Sequence, residues 1–162
     1  MNSTSNIRPA TLDDLPAINR VIEAAVMSWD LPERVKRLTL PSYRYNAHDF
    51  EHLQMVVAED PAGRIVGVAS WEAAEPRDCP AGARGMLLHG LYVTPDSWGS
   101  GTGSRLLDHA LSAAAAAGMD GLLVKAQADA AAFFSRRGMQ PLAVEDAARH
   151  YSHRFWKSAV SH

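Results

Sequence analysis

Leu91-Tyr92-Val93-Thr94-Pro95-Asp96-Ser97-Trp98-Gly99-Ser100-Gly101-Thr102-Gly103-Ser104-Arg105-Leu106-Leu107 decides the fold. Leu91–Val93 reads as the end of a strand and Pro95-Asp96 as a turn. Three alternating glycines then lead into an apolar run of helical period. Glycine lets backbone N–H groups crowd one point, and a helix start adds partial positive charge, so the stretch reads as an anion cradle. Two familiar phosphate loops do not fit it. A lysine-bearing loop ends Gly-Lys-Ser/Thr, whereas this one reads Gly103-Ser104-Arg105. A dinucleotide fingerprint is spaced Gly-x-Gly-x-x-Gly, whereas Gly99, Gly101 and Gly103 recur every second residue. A tight turn with no ligand is the plain alternative.

Working outward, Met86 to Val93 reads as one strand. Thr102 to Ala117 reads as a helix with Leu106, Leu107, Ala110, Leu111 and Ala114 on one stripe and Gly118 as a left-handed cap. Gly121 to Ala126 is a further strand, whose Leu122-Leu123-Val124 suits burial on both faces. Strand, crossover helix and strand make a right-handed unit. Upstream, Ile7 to Ala10 is a short strand that Pro9 confines to an edge or an end. Thr11 to about Ser28 is an amphipathic helix, with Asp13 and Asp14 in its first turn and Leu12, Leu15, Ile18, Ile22 and Val26 in register. Pro32 and Pro41 break the stretch from Trp29 to Asp49, which predicts one helix over Glu33 to Leu40 and then a loop. Leu53–Ala58 and Arg64–Trp71 form a hairpin around Asp60-Pro61-Ala62-Gly63, and Glu72 to Arg84 is a loop. Gln127 to Arg137 is a short helix ending at Gly138. Met139 to Val144 and His150 to Ser158 close the sheet, separated by the turn or short helix Glu145 to Arg149.

The 162 residues suffice for one domain with a real core. Apolar residues make up 47%, charged residues 21%, and the net charge is −2, an ordinary soluble profile. No basic excess points to nucleic acid or to an anionic membrane surface. The N-terminus lacks a signal pattern, no apolar run approaches a membrane span, and Cys79 is the single cysteine. Together these predict a cytoplasmic protein without an internal disulfide.

The motif Val93-x-Pro95, then Gly99-x-Gly101-x-Gly103, then Leu106-Leu107, resembles the acyl-CoA-binding turn of the GCN5-related N-acetyltransferase superfamily. One position departs: the family usually carries Gln or Arg where this chain has Trp98. A second stretch, Gln127, Ala130, Phe134, Gly138 and Met139, keeps the spacing of the family's other signature (Asn, Ala, Tyr, Gly, Phe). The opening Ile7-Arg8-Pro9-Ala10-Thr11 followed by Asp13-Asp14 is also similar to the family's usual start. The resemblance covers almost the whole chain and is weakest over Trp29 to His52. It implies a single domain over residues 1–162 of α/β (α+β) class: a central mixed, mostly antiparallel sheet of six to seven strands flanked by about four helices. It implies acetyl-CoA as cosubstrate and no metal. Leu91, Tyr92, Val93, Trp98, Gly99, Ser100, Gly101, Thr102, Gly103, Ser104, Gln127 and Phe134 are the expected cofactor contacts. Tyr43 and Tyr45, with Arg44 and His48 nearby, lie where the family lines its acceptor side. The family's final strands often pair across a homodimer, to which Tyr151, Phe155 and Trp156 could contribute, although a core role is equally open.

Amide formation from an amine and a thioester needs a neutral amine, a stabilised oxyanion and a departing thiolate. A strand backbone N–H can receive the oxyanion, and the resemblance implies the strand before the cradle, Leu91-Tyr92-Val93, for it. His89 shares a strand face with Leu91 and Val93, and imidazole's ordinary pKa of about 6.5 suits proton removal near neutrality. His89-x-Leu91-x-Val93 also resembles the corresponding strand of the arylalkylamine N-acetyltransferase branch. Glu72 is the second choice of base. Where the family has its acidic tyrosine, Phe134 has no proton to give. The thiolate then leaves unaided, Tyr92, Tyr151 or water replaces the donor, or the chain binds acyl-CoA without turnover. The expected activity is therefore acetyl transfer to a primary amine of a small molecule, with a non-catalytic acyl-CoA-binding module as the alternative.

Two other constellations read as non-catalytic. His48-Asp49-Phe50-Glu51-His52 has the His-x-x-Glu-His spacing of an inverted zinc-peptidase motif, but a third ligand is not evident and the strand at Leu53 would stop the helix at once. It reads as a solvated stretch. Cys79, between Asp78 and Pro80, reads as an inert loop thiol.

Overall fold

The computed structural model describes residues 6–126, 130–142 and 154–159. The strands are β1 (Asn6–Pro9), β2 (Gln54–Glu59), β3 (Ile65–Ala73), β4 (Gly85–Val93), β5 (Gly121–Lys125), β6 (Gln140–Leu142) and β7 (Arg154–Ser158). The helices are α1 (Leu15–Met27), α2 (Glu33–Tyr43), α3 (Asp49–His52), α4 (Thr102–Ala116) and α5 (Ala131–Arg136). The strands form one seven-stranded mixed sheet in the order β1-β2-β3-β4-β5-β7-β6. Among the described residues no helix is long and apolar enough to cross a membrane. Two compact units divide the chain: Met1–Ser70 with Gly90–Leu107, and Trp71–His89 with Asp108–His162.

In the first unit, β1 pairs antiparallel with β2 at the sheet edge, where Pro9, lacking an N–H, is tolerated. Arg8 forks onto both oxygens of Asp14 at 2.8 and 2.9 Å and donates to Glu59 at 2.6 Å. Asp14 also accepts the Thr11 backbone N–H at 2.8 Å, completing a capping box. The expected helix from Thr11 starts as a 3-10 turn over Leu12–Asp14. Pro16 explains this, because it has no N–H for the Leu12 carbonyl, so the α-helical ladder begins at Leu15. From there α1 buries Ile18, Val21, Ile22, Ala25 and Val26. Leu40, Tyr45, Leu53, Met55, Val57 and Val68 complete this core. Each such aliphatic side chain contributes about 1.5–3 kcal/mol on full burial.

α2 outlasts its expected end at Leu40. Pro41 sits inside it and forfeits one backbone bond, while the Thr39 and Ser42 hydroxyls and the Arg44 N–H hold neighbouring carbonyls. The loop expected after it contains α3, a single turn ending at His52. β2 and β3 are neighbours joined by a tight turn, in which Asp60 N–H bonds Arg64 O at 2.8 Å and Gly63 has φ +85°. A connection this short returns the chain antiparallel.

In the second unit, β4 pairs parallel with β5 from Gly85↔Gly121 to Leu88↔Val124, and β5 pairs antiparallel with β7. Both strands begin with glycine because a Cβ at either position would overlap the Trp156 ring. Phe155 is buried beside Phe134, so these two aromatics serve the unit's own packing. Leu122, Leu123 and Val124 are buried, as a strand covered on both faces requires. Gly118 and Gly138 end their helices at φ +75° and +81°. Gln127 and the stretch from 143 to 153, which includes Tyr151, lie outside the described residues.

Candidate active site

β4 positions the site. Its partner β3 runs antiparallel to it: Ala74 N–H bonds Gly85 O at one end, and Thr94 N–H bonds Val66 O at the other, both at 2.9 Å. The register with β5 stops at Leu88, and β4 continues through His89-Gly90-Leu91-Tyr92-Val93. The 3-10 turn Pro95–Ser97 then leads into the glycines.

Gly99 and Gly101 have φ +82° and +85°, the left-handed region that only glycine occupies without strain. A Cβ at either would point into open space, so backbone conformation alone demands glycine there. Gly103 lies inside the first turn of α4, whose ladder opens with the Arg105 N–H on the Gly101 carbonyl at 3.0 Å. Thr102, Gly103 and Ser104 form the start of α4 ahead of that bond. Ser100 Oγ sits 2.8 Å from Thr102 Oγ1. Trp98 is 60% exposed, and its indole N–H donates to Val93 O at 3.1 Å. The ring therefore stands at the rim of the turn instead of packing into the core.

Side chains alternate along β4. Gly90 and Tyr92 face Tyr45 and Ser70, whereas His89 is exposed on the other side of the strand, with Leu91 and Val93 sharing its parity. The Tyr45 hydroxyl, on a residue only 6% exposed, lies 2.5 Å from the fully buried Ser70 Oγ. A Cβ at Gly90 would collide with that hydroxyl and with the Tyr92 ring. Asn19 clamps Tyr45 through its backbone, with two hydrogen bonds of 2.9 Å. Tyr43 is half-buried, its ring edge-on to Trp29 at 5.1 Å. Burial, with Tyr45 and Tyr43 adding to it, holds the Tyr92 phenol well above its ordinary range, so it keeps its proton. Glu72 is half-buried near the end of β3. Ser70, Asn19 and Gly90 escaped the sequence reading. A glycine within an apolar strand is the one available signal, because it marks a close approach by another group.

In the second unit, Phe134 is 5% exposed and packs against Phe133 and Phe155 at 5.2 and 5.9 Å between ring centroids. Burial pushes the Cys79 thiol up, and its Sγ reaches Glu75 O at 3.6 Å, the surroundings of an unreactive cysteine.

A family model described as the acetyltransferase (GNAT) family matches residues 21–139. The chain belongs to the GNAT family. It is an acetyl-CoA-dependent N-acetyltransferase. One relative, an L-methionine sulfoximine/L-methionine sulfone acetyltransferase of Pseudomonas paraeruginosa, is 31% identical over 120 residues, covering 72% of this chain and 67% of the relative. A protein of the same name from Pseudomonas aeruginosa is 30% identical over the same shares. The fold matches a GCN5-related N-acetyltransferase from Rhodopseudomonas palustris at TM-score 0.74, with 24% identity and 98% of each chain covered. It also matches a GNAT acetyltransferase from Brucella melitensis solved with acetyl-CoA, at TM-score 0.65 and 18% identity over 96% of this chain and 88% of that one.

Within this GNAT chain, His89 and Tyr92 stand on opposite faces of one strand and do not form a pair. Tyr45 belongs to the core with its hydroxyl committed to Ser70, while Tyr43 stays half-buried. The seven strands agree with the expected sheet, and the fifth helix is the short α3.

Proposed function

We propose that this GNAT enzyme transfers the acetyl group of acetyl-CoA to the primary amine of a small, amino-acid-like molecule by direct attack in a ternary complex. The observation that carries the site is the pair of left-handed glycines, Gly99 and Gly101, between the end of β4 and the start of α4. In this reading the backbone from Trp98 to Ser104 holds the pyrophosphate, with Trp98 at its rim. Leu91, Tyr92 and Val93 offer backbone groups to the rest of the cosubstrate, and one N–H among them receives the oxyanion. Gln127 and Phe134 contribute from the second signature.

The amine nitrogen attacks the thioester carbonyl carbon, a C–N bond forms, and the C–S bond breaks. The surplus amine proton passes to His89, directly or through water, with Glu72 as the second candidate. The thiolate leaves without the family's tyrosine. This is tolerable because a thiol's pKa of about 8.5 makes it a fair leaving group. Tyr92, protonated throughout the working range, is the side-chain donor on this strand, and Tyr43 and Tyr45 shape the acceptor side. The acceptor class is supported by the relatives whose names specify methionine sulfoximine and methionine sulfone.

The test is release of free CoA thiol on mixing the chain with acetyl-CoA and a panel of amines that includes both those compounds. Release confined to α-amino acids with a compact polar side chain is expected. Thiol release with none of the panel, alongside intact acetyl-CoA binding, would leave a binding module instead.

A further inference from the structure

His48, Glu51 and His52 bring one donor atom each within 4.8 Å of one another, on the short turn α3 and its cap. They do not make a peptidase centre. The Glu51 carboxylate lies 2.9 Å from His48 Nδ1, and the strand begins directly after His52. What they do make is a pair of imidazoles four residues apart on a single helical turn, their Nε2 atoms 2.9 Å from each other and their rings 75° apart.

Two ring nitrogens that close share one proton, so one presents a lone pair to the other. The Glu51 carboxylate accepts the Nδ1–H of His48, which leaves His48 Nε2 as that lone pair. A carboxylate behind a histidine is the arrangement that fixes a ligating tautomer. The 2.9 Å contact is that of the His52 Nε2–H on the His48 lone pair, so an ion enters as that proton moves to His52 Nδ1, and on two imidazole nitrogens divalent copper and nickel compete well with zinc.

The turn is held before any ion arrives. Asn46 N–H bonds Asp49 Oδ2 at 2.7 Å, Asp49 N–H bonds Asn46 Oδ1 at 3.1 Å, and Leu53 N–H bonds Asp49 O at 2.8 Å. Tyr45, just upstream, is fixed by Asn19. Little ordering cost remains for a ligand to meet. The side chains of His48 and Glu51 are both 69% exposed, which leaves the ion's other positions to water.

We infer that His48 and His52 form a bidentate surface chelate for a divalent copper or nickel ion, with Glu51 holding His48 in its ligating tautomer. The site is independent of the acetyl-transfer reading. It is tested on the full, untagged chain, stripped with chelator and titrated with copper(II), nickel(II) and zinc(II) chlorides in a non-coordinating buffer, by calorimetry and, for copper, by electron paramagnetic resonance. One tetragonal copper site with imidazole nitrogen splitting is expected, with zinc bound at least about tenfold more weakly. His48→Ala and His52→Ala should each lower copper affinity more than tenfold. Glu51→Gln should lower it about tenfold, as loss of an outer-shell carboxylate does. Circular dichroism confirms that these surface variants fold. Copper binding unchanged in both histidine variants would overturn the assignment, because the ion would then sit on other histidines. Zinc binding tighter than copper would overturn the choice of ion.

Discussion

The indole N–H of Trp98 donates to the carbonyl of Val93 at 3.1 Å, tying the rim of the glycine turn to the last residue of β4. The ring is otherwise exposed, so this bond sets where it stands. A hydrogen bond contributes about 0.5–1.5 kcal/mol net, and an exposed one falls at the lower end. Trp98→Phe keeps the ring and removes the bond. It should raise KM for acetyl-CoA about two- to fivefold with little change in kcat. Steady-state kinetics at saturating amine decides this, and a fall in kcat with constant KM would place Trp98 outside the cosubstrate's grip.

Gly101 and Gly63 share φ +85° with open space around the missing side chain, yet only Gly101 belongs to the glycine turn. Alanine at either position costs about 1–2 kcal/mol of backbone strain. For a chain of this size that is a Tm loss of roughly 3–6 °C. Both variants should lose stability alike, but Gly101→Ala alone should weaken acetyl-CoA binding, by tenfold or more. Equal affinities in the two variants by calorimetry would remove the turn from the cosubstrate site.

The Tyr45 hydroxyl and Ser70 Oγ are buried partners 25 positions apart in the chain. Removing one strands the other, at about 1–3 kcal/mol. Tyr45→Phe and Ser70→Ala should each destabilise by that much, while the double variant costs less than their sum by at least about 1 kcal/mol. Urea denaturation of the four proteins closes the cycle, and strict additivity would show that the contact does not couple them.

Asp14 is held down to about 2, first by the hydrogen bonds from Arg8 and then by the Thr11 N–H, against the opposing effect of burial. A carboxyl depressed in the folded state stabilises the protein above its unfolded pKa, near 4, and that contribution disappears as pH falls from about 4 to about 2. Solvent screening of the half-exposed Arg8 limits it to about 1 kcal/mol. Asp14→Asn should therefore be less stable than the parent at pH 6, with the gap closing between pH 5 and pH 2. Parallel urea melts across that range measure it, and a gap independent of pH would assign the loss to packing.

Much of this architecture is legible residue by residue. Gly99, Gly101 and Gly118 mark backbone that only glycine follows easily, and Leu122-Leu123-Val124 marks a strand covered on both sides. The misses have local or tertiary causes. α3 is too short for an apolar period and is set by the Asn46–Asp49 exchange of hydrogen bonds. The first turn of the N-terminal helix yields to Pro16. The burial of Tyr45 has no local sign because its partner, Ser70, is distant in sequence and ordinary in type. Alternation did separate His89 from Tyr92, but the extent of His89's exposure depends on neighbours that no local pattern records.

That separation bears on proton transfer. An amine arrives mostly as its ammonium form at low pH, and a base beside the strand is needed most there; near pH 9 more of it arrives neutral. In the proposed mechanism His89, exposed on one face of β4, removes the proton, while the partly buried Tyr92 phenol on the other face keeps its own. His89→Ala should lower kcat/KM about 10²-fold near pH 6, and the deficit should shrink toward unity by pH 9. Tyr92→Phe should instead lower the rate by a similar factor at both pH values, since that phenol holds its proton throughout. The pH–rate profiles of the two variants separate these roles, and a constant deficit in His89→Ala would remove the histidine from proton transfer.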